Sequence, residues 1–339
     1  MRTEQENTMN EIKGILQSEY GIAANDITST TGGWSAAAYK VDGCPSSTGQ
    51  GDGTADTYFL KVYGKKRTSV TTQLGSLDFC MTVASWLENN TKLKGKINAP
   101  ILTKNGSIKA ETQDHVYLLF SYIDGFTVAT TPLTIKQQEE LAKIIGELHR
   151  HGADMPFDFS KLQETYEIPC AELMKAQRKM PQKADDPLCV YQQYDMLMHA
   201  IEKAQNLAEY AKSRQLAHTL CHTDIHGWNL IQSDRLILVD WESIKYTPVE
   251  ADLFTLWNDW YWGDTHWGSY WGTFLPIYQK ICPEYTVDEK VLKFYQIRRH
   301  IEDIEEFYKQ YLYDEMTEAE TNEVISCLER ECKFLCTLI

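Results

Sequence analysis

Near the start of the chain, Met9, Ile12, Ile15 and Leu16 recur at helical spacing. They predict an amphipathic helix over residues 8–20, stopped at Tyr20-Gly21. Over 28–41 the pattern changes to alternation around Gly32-Gly33, which predicts two strands joined by a tight turn. Residues 42–56 are rich in Gly, Ser, Thr and Asp and read as a flexible hairpin loop. Tyr58-Phe59-Leu60-Lys61-Val62 predicts another strand, and Leu74, Leu77, Met81 and Trp86 predict a helix over 72–89. Two more strands are expected near 101–103 and 116–122, after which Asp124-Gly125 breaks the pattern.

Beyond Gly125 helical periodicity takes over. Leu141, Ile144, Ile145 and Leu148 line one face of a helix over 135–149, and further helices are expected over 188–213, 248–262, 270–281, 288–312 and 317–337. The only clear strands here are near Leu220 and over 236–239. A β-rich first part and a helical second part predict an α+β protein of two lobes: a small N-terminal lobe over 1–122 and a larger, mostly helical C-terminal lobe over 123–339, hinged at 121–125. No internal repeat or coiled-coil run is visible.

With 339 residues the chain is long enough to bury a full core in each lobe. No run of about 18 apolar residues is present, so no membrane span is expected, and the polar start Met1-Arg2-Thr3-Glu4 lacks the apolar run of a secretory signal. The nine cysteines are odd in number and scattered, which favours reduced thiols in a cytoplasm over zinc or disulfides. A net charge of −15 disfavours nucleic acid, whose phosphates need a basic face; it is compatible with a cationic substrate or with solubility alone.

The chemistry concentrates in Leu220-Cys221-His222-Thr223-Asp224-Ile225-His226-Gly227-Trp228-Asn229 and in Val239-Asp240-Trp241-Glu242. An acid, an amide five residues on and a second acid, each placed after a short apolar strand, suit phosphoryl transfer. One carboxylate meets the attacking hydroxyl, while the amide oxygen and the other carboxylate hold a metal that neutralises phosphate charge. A zinc set of His222, Asp224 and His226 is the rival, but it leaves Asn229 and Asp240 without a role. His222 reads best as a buried histidine bonded to backbone, and His226 stays open between a place near the substrate phosphate and a structural one. No phosphate-loop motif exists. Gly32-Gly33-Trp34-Ser35 by itself reads as a plain hairpin turn sooner than as a phosphate cradle, and Lys61 in an apolar strand needs an anion, whether carboxylate or phosphate.

Glycine turn, strand lysine, helix, hinge, His222-x-Asp224-x4-Asn229 and Asp240 follow in the order of the parts of kinase-like phosphotransferases. With Pro248-Val249-Glu250-Ala251-Asp252-Leu253 and the helix ending Glu147-Leu148-His149, the chain resembles the aminoglycoside phosphotransferase and choline kinase superfamily, of protein-kinase-like fold, over nearly its whole length. Tyr58-Phe59-Leu60-Lys61, Glu19-Tyr20-Gly21-Ile22 and the helix over 295–307 suggest its spectinomycin phosphotransferase branch.

The resemblance implies Asp224 as catalytic base and Asn229 and Asp240 as magnesium ligands. It implies Lys61 on the α- and β-phosphates, Ser35 and Gly33 of the turn near the β-phosphate, and Phe59 against the adenine. The carbonyl of Ser121 and the N–H of Ile123 would meet the adenine edge, with ATP or GTP as donor. The helix partner of the lysine, usually Glu, is expected to be Asp78 rather than Glu88. Two departures stand out: Trp241-Glu242-Ser243 replaces the Phe-Gly that follows the second metal ligand in protein kinases, and only eleven residues separate Asp240 from Asp252. That step is too short for a regulated activation segment, so a small molecule is the expected acceptor.

Five of the nine tryptophans lie between Trp257 and Trp271, among Asp259, Trp260 and Asp264. They read either as a helix–helix core or as a pocket for an ammonium-bearing ligand. Glu302, Asp303 and Glu306 are candidates for an amine-binding edge or a solvated helix face. The leading expectation is phosphorylation of an aminoglycoside or aminocyclitol antibiotic, with resistance as the outcome. The alternatives are choline, a methylthio sugar, homoserine or a macrolide as acceptor, or nucleotide binding without catalysis.

Overall fold

The structure is a computed structural model, and it describes residues 2–30, 35–45, 56–152, 155–177, 193–257, 260–262, 265–268 and 270–339. The chain has an α+β fold made of two compact units, Met1–Phe126 with Ser233–Glu242, and Thr127–Gln232 with Ser243–Ile339. The return of Ser233–Glu242 to the first unit departs from a single cut at 121–125.

In the first unit, helix α1 (Arg2–Ile15) continues as a π-helical turn over Leu16–Tyr20 and stops at Gly21, whose φ of +70° a side chain would strain. Strands β1 (Ile22–Thr30), β2 (Ala37–Pro45), β3 (Asp56–Gly64), β4 (Ala110–Glu111) and β5 (His115–Ser121) form an antiparallel sheet in the order β1-β2-β3-β5-β4. The pleat of β3 sends Tyr58, Leu60 and Val62 to one face, where they pack with Ile12 and Leu16 of the N-terminal segment and with Val41 and Leu119. Phe59, Lys61 and Tyr63 take the other face. Helix α2 (Thr68–Asn90) buries Leu77, Cys80, Met81, Ala84 and Leu87, a stripe at helical spacing.

No strand forms at 101–103. Pro100 makes a single bridge to Phe120 and Ile101 donates one bond to Leu119 O (2.7 Å). Proline cannot donate to a ladder, and the sheet takes its last strand from β4 instead. The strand Leu236–Leu238 lies in the first unit, where Leu238 N donates to Lys96 O (2.9 Å) and Trp241 Nε1 donates to Leu238 O (3.0 Å). Burial of Leu236, Leu238 and Trp241 anchors this segment.

In the second unit, helix α3 (Ile135–Arg150) opens with a capping box between Thr134 and Gln137 and buries Leu141, Ile144, Ile145 and Leu148. After α4 (Ala171–Gln177), α5 (Tyr194–Ser213) covers the described part of the helix expected over 188–213. Helix α6 (Glu250–Leu253) and a 3-10 turn over Phe254–Leu256 end at Trp257, and Trp260–Trp262 then pairs antiparallel with Thr265–Gly268. The helix expected over 248–262 therefore stops early, because the aromatic run at 260–262 suits an extended strand better than a helix. Helices α7 (Trp271–Ile281), α8 (Glu289–Tyr313) and α9 (Glu318–Leu338) follow. Ile297, Ile301 and Ile304 of α8 share a core with Leu197 and Ile201 of α5 and with Val324, Leu328 and Leu335 of α9. Lys245–Pro248 pairs antiparallel with His218–Cys221, and both this strand and Leu230–Gln232 are too short to show a period.

Candidate active site

In the first unit, β3 carries Lys61 inward on a side chain only 16% exposed. Its Nζ lies 2.8 Å from Asp240 Oδ1 and 2.8 Å from Glu242 Oε1. Burial alone would lower the ammonium's pKa, but the two carboxylates more than offset that and hold it above the ordinary lysine range. The Tyr63 hydroxyl, two residues along the same strand face, donates to Glu242 as well. Burial, with the charge of Asp240 beside it, pushes the Glu242 carboxyl up. Asp240 has φ +69°, so the backbone turns sharply where the acid is presented.

Lys61 does not meet the helix acid expected for it. Asp78 lies beside the buried stripe of α2 rather than in it, is 61% exposed, and pairs with Lys109 at 3.1 Å. Glu88 accepts from Gly95 N (3.0 Å) and fixes the turn after α2. Glu242 occupies the lysine's second partnership, from the position where a Phe-Gly sequence was missing.

Phe59 shares the Lys61 face of β3 and is half-buried, and Ser35 is half-buried before β2. Gly33 lies outside the described residues, as do Asp259 and Asp264; the strand Trp260–Trp262 includes Trp260. Ser121 closes β5 opposite Tyr58, and with Tyr122 it lines a recess of about 590 Å³ in this unit. Ile123 follows, half-buried.

In the second unit, the strand His218–Cys221 leads into the loop that carries Asp224. The loop is tied down by Asp252, whose carboxylate accepts from the N–H groups of His222 (3.0 Å) and Thr223 (2.6 Å) and sits 2.9 Å from His149 Nε2. Thr223 takes φ +66°, and its hydroxyl donates to Ser243 O (2.6 Å). His149, Cys221 and Asp252 are the one group of possible metal ligands found among the described residues. They read as a hydrogen-bonded brace: His149 Nδ1 meets the Tyr278 hydroxyl at 2.7 Å, and burial, then Asp252, keeps Cys221 a thiol rather than the thiolate a metal needs. His222, Asp224 and His226 do not gather into a comparable set.

The Asp224 carboxylate is held by three side chains. Arg299 Nη1 of α8 lies 2.8 Å from Oδ1, His226 Nε2 lies 3.4 Å from the same oxygen, and Asn229 Nδ2 donates to Oδ2 at 2.9 Å. His226 Nδ1 accepts from Trp228 N (3.2 Å), which directs the other ring nitrogen at Asp224. Burial raises the Asp224 pKa, but Arg299 first and His226 next more than reverse that, and the acid stays ionised well below the ordinary carboxylate range. With its Nδ2 turned to Asp224, Asn229 keeps its amide oxygen as a hard ligand atom of the kind magnesium takes.

Glu302 and Asp303 of α8 are already engaged, whereas Glu306 keeps a buried Oε1 with no hydrogen-bond partner among the described residues. Glu302 Oε1 lies 2.6 Å from Arg298 Nε, and Asp303 Oδ2 lies 3.0 Å from Arg299 Nε, each pair spaced i, i+4. Arg298 also reaches Glu164 at 2.8 Å. Neither acid stands as the uncompensated carboxylate that an amine-binding edge needs. Arg299 is the partner of Asp224 that the sequence concealed: the i, i+4 spacing announces its pairing with Asp303, but nothing local announces Asp224, 75 residues away in the chain.

A family model described as the phosphotransferase enzyme family matches residues 26–285. No curated protein matches. Among solved structures, a spectinomycin phosphotransferase in complex with ADP and spectinomycin aligns over 97% of this chain and 98% of its own, at 19% identity and a TM-score of 0.70. A microcompartment-associated aminopropanol kinase aligns over 96% of both chains, at 12% identity and a TM-score of 0.61. An amicoumacin kinase in complex with AMP-PNP, calcium and its antibiotic aligns over 98% of this chain and 96% of its own, at 14% identity and a TM-score of 0.60. These likenesses are of fold.

Proposed function

The chain belongs to the phosphotransferase enzyme family, whose members act on hydroxyl groups, and from that premise we propose that it transfers the γ-phosphoryl of ATP or GTP to a hydroxyl of an aminoglycoside or aminocyclitol antibiotic. The observation that carries the reading is Asp224, fixed by Arg299, Asn229 and His226 on a loop braced by Asp252.

In this reading Asp224 accepts a hydrogen bond from the acceptor hydroxyl and aims its lone pair at the γ-phosphorus. A carboxylate of such low proton affinity contributes orientation more than early deprotonation, which suits the loose transition state of phosphoryl transfer. Lys61 takes the α- and β-phosphates, leaving Asp240 and Glu242 as the carboxylates that keep it charged. Ser35 and Gly33 meet the β-phosphate, and Phe59, Ser121 and Ile123 receive the base. Asn229 and Asp240 would hold magnesium, which would neutralise phosphate charge. A cytoplasmic location, where nucleotide is abundant, belongs to the same proposal; no described helix is long and apolar enough to cross a membrane.

The test is nucleotide consumption with magnesium and a panel of aminoglycosides, including spectinomycin. Wild-type turnover with a drop of about 10²–10⁴-fold in Asp224→Ala is expected, and equal turnover by the two proteins overturns the assignment.

One observation favours a second acceptor class. Because Glu302 and Asp303 are claimed by Arg298 and Arg299, an amine must rely on Glu306, whose Oε1 has no partner among the described residues, or on carboxylates such as Asp259 and Asp264. Phosphorylation of neutral or carboxylated alcohols alone, with none of the cationic drugs accepted, selects that class.

A further inference from the structure

The second unit carries a recess of about 480 Å³, within the roughly 300–1,000 Å³ range of small-ligand pockets, walled by α5, the first turns of α8 and Trp257. Its half-buried lining residues are Lys203 and Leu207 of α5, Lys293 of α8 and Trp257. The acids that also border it, Glu202 and Glu289, are exposed.

The two lysines are unlike the other partly buried cations described above. Lys61, Lys109, Arg298 and Arg299 each face carboxylates. Lys203 Nζ donates to the backbone carbonyl of Leu338 (3.0 Å) and Lys293 Nζ to Gln296 Oε1 (3.4 Å), and neither makes an ion pair with a carboxylate among the described residues. Burial, and then the like charge of Lys203, pulls the pKa of Lys293 below the ordinary lysine value. In a chain of net charge −15, two half-buried lysines thus line the wall of one cavity with no carboxylate partner among the described residues, close enough for the charge of one to act on the other. An anion placed between them turns their repulsion into attraction, and the indole of Trp257 with the Leu207 side chain offers apolar surface beside it.

We propose that this recess binds a planar aromatic anion, its phosphate or carboxylate between Lys203 and Lys293 and its ring against Trp257 and Leu207. The inference stands apart from the kinase assignment, because none of these four residues has a part in the donor or catalytic sets. Such an anion is either the far end of the acceptor or a separate small ligand.

The experiment is calorimetric titration of the full chain with 4-nitrophenyl phosphate, in saturating MgADP so that the nucleotide site is filled. One site per chain is expected, weakened at least tenfold in Lys293→Met and in Lys203→Met/Lys293→Met, and displaced by inorganic phosphate. Lys293→Met alone guards against unfolding caused by loss of the Lys203–Leu338 bond, and thermal melting of both variants checks the fold. No binding by the wild type, or undiminished binding by folded Lys293→Met, overturns the proposal. Where binding is lost as expected, kinetics separate the two sources: a raised KM for the acceptor at constant kcat marks the acceptor's own anionic end, and unchanged KM and kcat mark a separate ligand.

Discussion

Among single residues, Arg299 changes the picture of the proposed catalytic carboxylate, Asp224, most. An aspartate that only needed to accept a proton would gain from isolation and a raised pKa. Asp224 has the reverse environment, with a guanidinium 2.8 Å from one oxygen and an amide 2.9 Å from the other, so its geometry is better determined than its basicity. Arg299→Ala releases that oxygen and leaves Asp303 without its partner. The expected result is a fall in kcat of about 10²-fold, the scale of a misplaced catalytic group, with nucleotide affinity unchanged. Arg299→Lys should recover only part, because an ammonium cannot span both carboxylates as the fork does. A change confined to KM would remove Arg299 from the catalytic arrangement. Glu242 offers a contrasting case. It is 4% exposed and serves Lys61 and Tyr63 together; Asp240 still partners Lys61 without it, so Glu242→Ala should cost about 1–3 kcal/mol in chemical denaturation, the scale of leaving the buried Tyr63 hydroxyl unpaired, and Glu242→Gln distinctly less. Lys61, Asp224, Asn229 and Asp240 stand out as candidates in the sequence because strand ends and fixed spacings are local signals. The partner of Lys61 is misread there because a helix acid and a loop acid look alike until the fold decides which one the strand face meets.

Secondary elements were legible in proportion to their length and amphipathicity. Helices α3, α8 and α9 carry stripes many residues long, and their ends fall within a residue or two of those expected. The short strands Leu230–Gln232 and Lys245–Pro248 have too few residues to show a period, and the tryptophan-rich hairpin after α6 imitates a helical continuation. Contacts between elements are less visible still. Gly146 of α3 passes so close to α7 that an added Cβ would lie 2.8 Å from Ile281 Cγ2. Alanine is the better helix former, so propensity alone predicts a gain of about 1 kcal/mol from Gly146→Ala. Overpacking of this kind instead costs about 1–3 kcal/mol. We expect net destabilisation in denaturant titration, relieved when Ile281→Val is added; a more stable single variant would show that α7 yields without cost.

At the scale of the whole molecule, the excess of acids makes stability depend on which carboxylates are buried without cations. Glu164, buried against Arg298, is held below its ordinary pKa: burial opposes ionisation, and Arg298, Lys245 and the Tyr166 N–H together outweigh it. Its contribution is present above the unfolded value of about 4.5 and is lost as the pH falls. Glu250 behaves oppositely. It is 1% exposed, accepts the Asp288 N–H at 2.8 Å, and is pushed up to about 7, by burial above all. A raised carboxyl favours the folded chain while protonated, so its contribution is full below about 4.5 and disappears as the pH rises through about 7. A shift of that size corresponds to about 3 kcal/mol. Glu250→Gln keeps an acceptor for the Asp288 N–H and never ionises. The variant should match the wild type at pH 5 and exceed it by up to about 3 kcal/mol at pH 8 in denaturant titrations. An equal difference at both pH values would mean that packing, and not the charge of Glu250, sets the effect.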